Sequence, residues 1–207
     1  MNYRYKRSAI FFAAVLILTS CSEAPKPAAA ESKKEAEPPP QPSGPVSAKT
    51  AFYEMYKPAR TWATDLLPLT LVSNEIPGIK NEGGKAAMWT AVFVSPSRRE
   101  ARTFTYAVAS HGTTLRGVTV AGAQSWSGAT AKSRPFQITQ FVADSDVAYN
   151  AAFKKAEAWV KKHPGKEPAF YLGSIQRFPG PMWYILWGTP KSGYAAYIDA
   201  TTGTVSK

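Results

Sequence analysis

One helical pattern occurs twice along the chain. Phe52, Met55, Tyr56, Ala59, Trp62 and Ala63 recur at helical spacing, and Tyr149, Ala152, Phe153, Ala156, Trp159 and Val160 repeat the stripe in the second half. Apolar residues at i, i+3 and i+4 line one face of an amphipathic helix, and Lys154, Lys155, Lys161 and Lys162 take the opposite face of the second. Asp144 or Asp146 can cap its start. His163-Pro164-Gly165 ends it, because proline cannot continue a helix and glycine accepts the left-handed cap. Pro58 stands inside the first stripe, where a kink or break is expected.

Alternating segments follow each helix. Residues 68–72 and 169–178 read as first strands, 88–94 and 182–187 as second strands, and 103–109 and 194–199 as third strands; 115–120 adds a fourth to the first half. Trp89, Ala91 and Phe93 alternate with Met88, Thr90 and Val92, and Trp183, Ile185 and Trp187 keep the same phase. Period two puts these residues on one face, under the helix. Pro96-Ser97-Arg98-Arg99-Glu100 and Pro190-Lys191-Ser192-Gly193 supply hairpin turns. The expected class is α+β, with two α-β-β-β units, each an antiparallel sheet covered by one helix.

The halves also match residue by residue. Tyr56-Lys57-Pro58-Ala59-Arg60-Thr61-Trp62 aligns with Phe153-Lys154-Lys155-Ala156-Glu157-Ala158-Trp159 at an offset of 159 − 62 = 97. Met88-Trp89 aligns with Met182-Trp183 at 183 − 89 = 94, and Tyr106 to Gly112 with Tyr197 to Gly203 at 203 − 112 = 91. Ordered anchors with a shrinking offset indicate a duplicated supersecondary unit with loop deletions. The organisation read from this is residues 46–123 for the first unit, 124–141 for a connecting loop and 142–207 for the second.

The N-terminus has a different character. Arg4, Lys6 and Arg7 precede an apolar run from Ala9 to Leu18, and Leu18-Thr19-Ser20-Cys21 follows. A basic stretch, a short apolar stretch and small residues form a secretory signal, here residues 1–20, and the run is about half the ~20 residues a membrane span needs. The last four residues resemble the bacterial lipobox, which implies a diacylglycerol on the Cys21 thiol. Cys21 is the only cysteine, so the chain forms no internal disulfide. Ser22 follows it, and by resemblance to Gram-negative lipoproteins this favours the outer membrane, facing the periplasm, over retention in the inner one. Residues 21–45 continue in Ala, Pro, Lys and Glu without an aromatic residue, too poor in apolar groups to repay ordering, and read as a disordered tether. In extended form it could reach roughly 70 Å, at ~3.1 Å per residue.

Charge narrows the partners. The chain carries 25 Lys and Arg against 14 Asp and Glu; six of the basic residues and four of the acids precede Val46, so the remainder is about +9. Such a field favours anionic partners such as lipid head groups, lipopolysaccharide or acidic proteins. Export argues against nucleic acid.

The segments Asp144-Ser145-Asp146-Val147-Ala148-Tyr149, Met182-Trp183-Tyr184-Ile185-Leu186-Trp187 and Ala196-Tyr197-Ile198-Asp199-Ala200-Thr201-Thr202-Gly203-Thr204-Val205 resemble the PepSY domain. In that family a helix opens after a Ser/Asp-rich cap, a central strand carries a Trp, and a Tyr-x-Val-Asp-Ala-x-Thr-Gly-x-Val hairpin closes the unit. The second unit fits this pattern; the first has diverged, with Val108 read at the place of Asp199 and Ser110-His111-Gly112 at that of Thr201-Thr202-Gly203. The resemblance implies protein or peptide binding, with a protease-modulating role. In residue terms, Asp199 and Gly203 are turn chemistry: the side chain accepts backbone N–H groups and glycine permits positive φ.

Enzyme chemistry finds no footing. His111 falls in a predicted turn and His163 at a helix end, and neither a zinc or calcium spacing nor a Gly-x-Ser-x-Gly elbow nor a phosphate-cradling glycine loop occurs. No cofactor is expected. The candidate binding residues are Arg98, Arg99 and Arg102 at a hairpin, Arg116, Lys132 and Arg134 in later segments, and Trp126 in a Ser/Gly/Ala/Lys-rich loop. The reading reached is a non-enzymatic envelope lipoprotein that binds a protein or peptide; binding of anionic envelope material through the basic patches is the alternative. Replacing Cys21 by Ser should release the protein from the membrane fraction, and a variant that resists a salt wash of membranes would refute acyl anchoring.

Overall fold

Both amphipathic stripes form helices in the computed structural model, which describes residues 44–206. Helix α1 spans Ala48–Trp62 and α2 Ser145–Lys162. Around them run β1 (Leu67–Asn74), β2 (Met88–Ser95), β3 (Glu100–Ala107), β4 (Gly117–Val120), β5 (Gln124–Ser125), β6 (Pro168–Gly173), β7 (Met182–Trp187) and β8 (Tyr194–Asp199). The class is α+β with an antiparallel sheet and two helices. Cys21 and the expected signal and tether lie outside the described residues.

The strands that the sequence divides between two sheets are joined in one. Its order is β4-β3-β2-β1-β6-β7-β8, with β5 paired to the start of β3. The join is short: Thr70 faces Gly173, Leu71 faces Leu172 and Val72 faces Tyr171. Separate sheets would leave β1 and β6 with unpaired backbone groups along an edge, and the junction satisfies them.

One face of this sheet is covered. Trp89, Ala91, Phe93, Phe104, Leu71, Leu172, Trp183, Ile185 and Ile198 are all at most 1 % exposed and belong to one core. Phe52 of α1 packs on Phe93 at 5.4 Å between ring centres, and Tyr149 of α2 on Phe170 and Trp187 at 6.4 and 6.1 Å. Helix α2 reaches the sheet through Ala148, Ala152 and Ala156, all fully buried, whose small side chains permit close approach. Pro58 does not end α1, which runs on through it to Trp62, so the break expected there is absent. Met55 and Ala59 on either side are fully buried, so packing holds the turn through the one missing N–H.

The repeat appears as matched hydrogen bonds about the junction. Trp89 Nε1 donates to the Val46 carbonyl and Trp183 Nε1 to the Ala143 carbonyl, both at 3.0 Å, each two residues before its helix begins. The two indoles meet edge to face at 6.3 Å. The helix starts meet as well: Ala48 N–H donates to Ser145 Oγ (2.9 Å), and Asp144 Oδ1 accepts from both Lys49 N–H (2.9 Å) and Ser145 N–H (2.7 Å). Asp144, one of the two candidate caps, therefore serves both helices. Two side chains thus satisfy backbone donors that a helix leaves open at its start.

Register corrects the third anchor of the repeat. Trp89 faces Tyr106 and Trp183 faces Ile198, while Met88 faces Ala107 and Met182 faces Asp199. The offset there is 198 − 106 = 92, so Ala107, not Val108, occupies the place of Asp199. Tyr106 lies on the covered face and Tyr197 on the other; a slip of one residue reverses the face. Strand β6 also ends at Gly173, short of the expected 178, because Ser174 and Gln176 bond the segment before α2: Arg134 N–H donates to Ser174 O and Gln176 N–H to Ala131 O, both at 2.9 Å. That segment, expected as a loop, contains β5 and a short 3-10 turn at Ile138–Gln140, and sends Phe136 and Phe141 into the core.

Gly84 presses on the start of α2. A Cβ there would stand 2.5 Å from the Ser145 carbonyl oxygen and 2.6 Å from the Asp146 Cα, at φ +84°; Gly78 has the same φ with nothing within 4 Å. Gly84→Ala should lower the melting temperature by about 6–12 °C, from roughly 3 kcal/mol of strain and displaced helix start, and Gly78→Ala by about a third of that. Equal shifts in the two variants would show that the contact carries no weight.

Candidate functional site

Alternation that sends Trp89, Trp183 and their neighbours under the helices sends every other residue to the opposite face, which no helix covers. On it stand Thr70, Val72 and Asn74 of β1, Thr90 and Val92 of β2, Thr103 and Thr105 of β3, Tyr171 of β6, Tyr184 and Leu186 of β7 and Tyr197 of β8, all partly exposed. The two halves differ in chemistry. The first carries a polar ladder, with Asn74 Nδ2 donating to Thr90 Oγ1 at 3.0 Å and Thr90 Oγ1 lying 3.3 Å from Thr105 Oγ1.

The second carries an aromatic cluster. Tyr184 and Tyr197 are 5.1 Å apart between ring centres, Phe178 is 5.4 Å from Tyr197, and Tyr171 stands opposite Tyr184 in register. Burial pushes the Tyr171 and Tyr184 phenols above their ordinary value, so both stay neutral. The strand positions of this face hold no lysine or arginine, and their one acid, Asp199, is engaged in its own turn. Its Oδ1 accepts from Thr201 N–H at 2.7 Å and Thr202 N–H at 3.0 Å, and Gly203 follows at φ +73°, as the turn reading requires. Arg177 borders the cluster, its guanidinium 5.3 Å from the Phe178 ring.

The candidate basic residues separate into distinct places. Arg98, Arg99 and Trp126 come together with Glu100, Ser125 and Ser127 around a hollow of about 500 Å³ beside the β2–β3 turn. Arg102 faces the other way, with its guanidinium 5.3 Å from the Trp62 ring, and contributes to packing. Arg116 precedes β4, whose start pairs with the far end of β3, about 24 Å from the turn at ~3.4 Å per residue. Lys132 and Arg134 belong to the segment bonded to the residues after β6. Trp126 is half-buried and lies outside the core cluster.

The histidines have local duties. His163 caps α2, stacks on Trp159 at 4.0 Å and places Nδ1 2.9 Å from the Trp159 carbonyl oxygen; His111 is exposed and its backbone bridges Thr114. Among the described residues no group of His, Cys, Asp and Glu is placed to hold a metal ion, and no helix is long and apolar enough to cross a membrane. A second hollow, of about 730 Å³, lies among the loops at the opposite end of the sheet, bordered by Glu75, Lys80, Gly165, Glu167 and Thr189, with Lys80 paired to Glu167 at 3.2 Å.

The tyrosine face was not among the residues read from sequence as candidates. Its signal was present: Tyr184 alternates with Trp183 and Ile185, so if those are buried it points away. Tyr197 was hidden by the register error, which paired it with the buried Tyr106. Asp65 gave no signal, because its partners Ser95 and Ser97 lie across a turn formed only in the fold.

No protein-family model matches the chain, and no curated protein matches it significantly. Among solved structures it is similar to a candidate lipoprotein from Clostridium difficile 630, at 10 % identity and a TM-score of 0.45, over 76 % of this chain and 90 % of that one.

The turn that carries Arg98 and Arg99 is fixed from below. Asp65, just after α1, accepts from Ser95 Oγ at 2.6 Å and from Ser97 N–H at 2.8 Å, and these bonds hold its carboxyl at about 2, below the ordinary 3.8. A carboxylate favoured in the fold stabilises it fully above 3.8 and loses that effect as the pH falls toward 2. The melting-temperature advantage of the wild type over Asp65→Asn should therefore be largest near neutrality and shrink between pH 4 and 2. An advantage unchanged across that window would remove the charge from the account.

Proposed function

We propose that this protein is a non-enzymatic lipoprotein of the cell envelope, anchored through an acyl group on Cys21, which binds another protein or a peptide on the open face of its sheet. One observation carries the reading. In a chain of formal net charge +11, the strand positions of that face hold no cation, and tyrosine, threonine and asparagine stand there beside Val72, Val92 and Leu186. Tyrosine offers a large, rigid apolar area at small rotamer cost together with a hydroxyl for polar partners, the combination that protein contact surfaces use. Basic residues elsewhere then steer an approaching partner without forming the contact.

The resemblance of residues 142–207 to PepSY supports the same function and extends it to modulation of a protease. Ser22 favours the outer membrane, with the domain facing the periplasm. Binding of anionic envelope material is a second reading, favoured at one place, the hollow beside Arg98 and Arg99.

The test is crosslinking in cells with the wild type and with Tyr184→Ala/Tyr197→Ala, followed by affinity measurement with the partner recovered. The double variant should keep the fold and bind at least about tenfold more weakly, since two contact tyrosines supply about 1–2 kcal/mol or more. Affinity of the wild type should change by less than about threefold when salt is raised, because no exposed ion pair forms the contact. Equal crosslinking by both proteins, or a steep salt dependence, would sink the assignment to this face.

A further inference from the structure

Hairpin tips usually carry glycine or asparagine where φ must be positive, yet Arg99 adopts φ +53° and is the one non-glycine residue among those described to do so. Three contacts hold it there. Asp65 grips Ser95 and Ser97 from the helix side, Arg99 N–H donates to Pro96 O at 3.3 Å, and Trp126 N–H donates to Arg99 O at 2.8 Å from the other side. Strand β5 leads directly into that last contact, pairing Ser125 with Glu100 and Gln124 with Ala101. An unfavourable backbone conformation held from two sides fixes the direction of its side chain.

What the clamp presents is two guanidiniums beside an indole. Arg98 and Arg99 are exposed, and neither makes an ion pair among the described residues. With half-buried Trp126 they border the hollow of about 500 Å³, which Glu100, Ser125 and Ser127 complete. One acid against two cations leaves the rim positive. Guanidinium forks match phosphate oxygens in bidentate geometry, hydroxyls of Ser125 and Ser127 can add donors, and an indole suits the boundary between head groups and acyl chains.

We propose that this hollow binds the phosphate of an anionic lipid head group, so that the domain meets the membrane surface at its β2–β3 tip. The site rests on the second reading above and is independent of the tyrosine face. Phosphate is the shared chemistry; Trp126 is the reason to choose a lipid over the free ion.

The experiment uses the mature chain, residues 21–207, with Cys21→Ser, so that neither an acyl group nor the apolar signal contributes, and vesicles of phosphatidylglycerol or phosphatidylcholine at about 0.1 M salt. The wild type should bind phosphatidylglycerol vesicles more tightly than phosphatidylcholine vesicles. Arg98→Ala/Arg99→Ala should weaken phosphatidylglycerol binding about thirtyfold, the effect two basic side chains supply at a lipid surface. Lys154→Ala/Lys155→Ala on the exposed face of α2 should weaken it less than about threefold, and binding should blue-shift the tryptophan emission that Trp126→Phe removes.

Equal losses in the arginine and lysine variants would leave general attraction to anions standing and overturn this site. Absence of any preference for phosphatidylglycerol would overturn the site and the second reading together. Quenching by inorganic phosphate without vesicle binding would overturn the lipid assignment.

Discussion

The structure depends on how two helix starts meet over a three-residue strand junction. Helix N-termini carry open N–H donors and the positive ends of their dipoles, so bringing two of them together is unfavourable unless acceptors stand between. Asp144 and Ser145 are those acceptors: one carboxylate oxygen and one fully buried hydroxyl serve N–H groups on both helices. Below them, the indoles of Trp89 and Trp183 tie each helix start to its own central strand. The single core, the continuous sheet and the open face all follow from this arrangement.

A continuous sheet changes what the two halves present. Two separate units would each bury one face and present a small open one. Joined at β1 and β6, they present one broad surface whose halves differ chemically, threonines and Asn74 on one side and Tyr171, Tyr184 and Tyr197 on the other. On the covered face Trp89, Phe93, Trp183 and Trp187 are close-packed, and a change of volume there would cost stability.

Much of the local structure could be read from the chain, because periodicity is a local property. The helical stripes, the phase of Trp89 and Trp183 and both hairpin turns came directly from spacing. The single sheet could not be read, since the partner of β1 is set by three residues about a hundred positions away. Nor could the register of β8, where Tyr106 and Tyr197 look alike as letters but stand on opposite faces. Of the candidate site, Arg98, Arg99 and Trp126 were visible as types; their convergence required β5, a two-residue strand too short to leave a pattern. Arg102 went to packing because its strand position points it under α1.

Among the described residues, Val46 is the first to pair with the sheet side of the fold. Its N–H and carbonyl both bond Ala86, at 3.0 and 2.9 Å, and the same carbonyl accepts the Trp89 indole. A pull on Val46 would load that bridge and the indole bond to β2 first. Tension would thereby reach β2, an interior strand of the sheet, before either edge strand, β4 or β8.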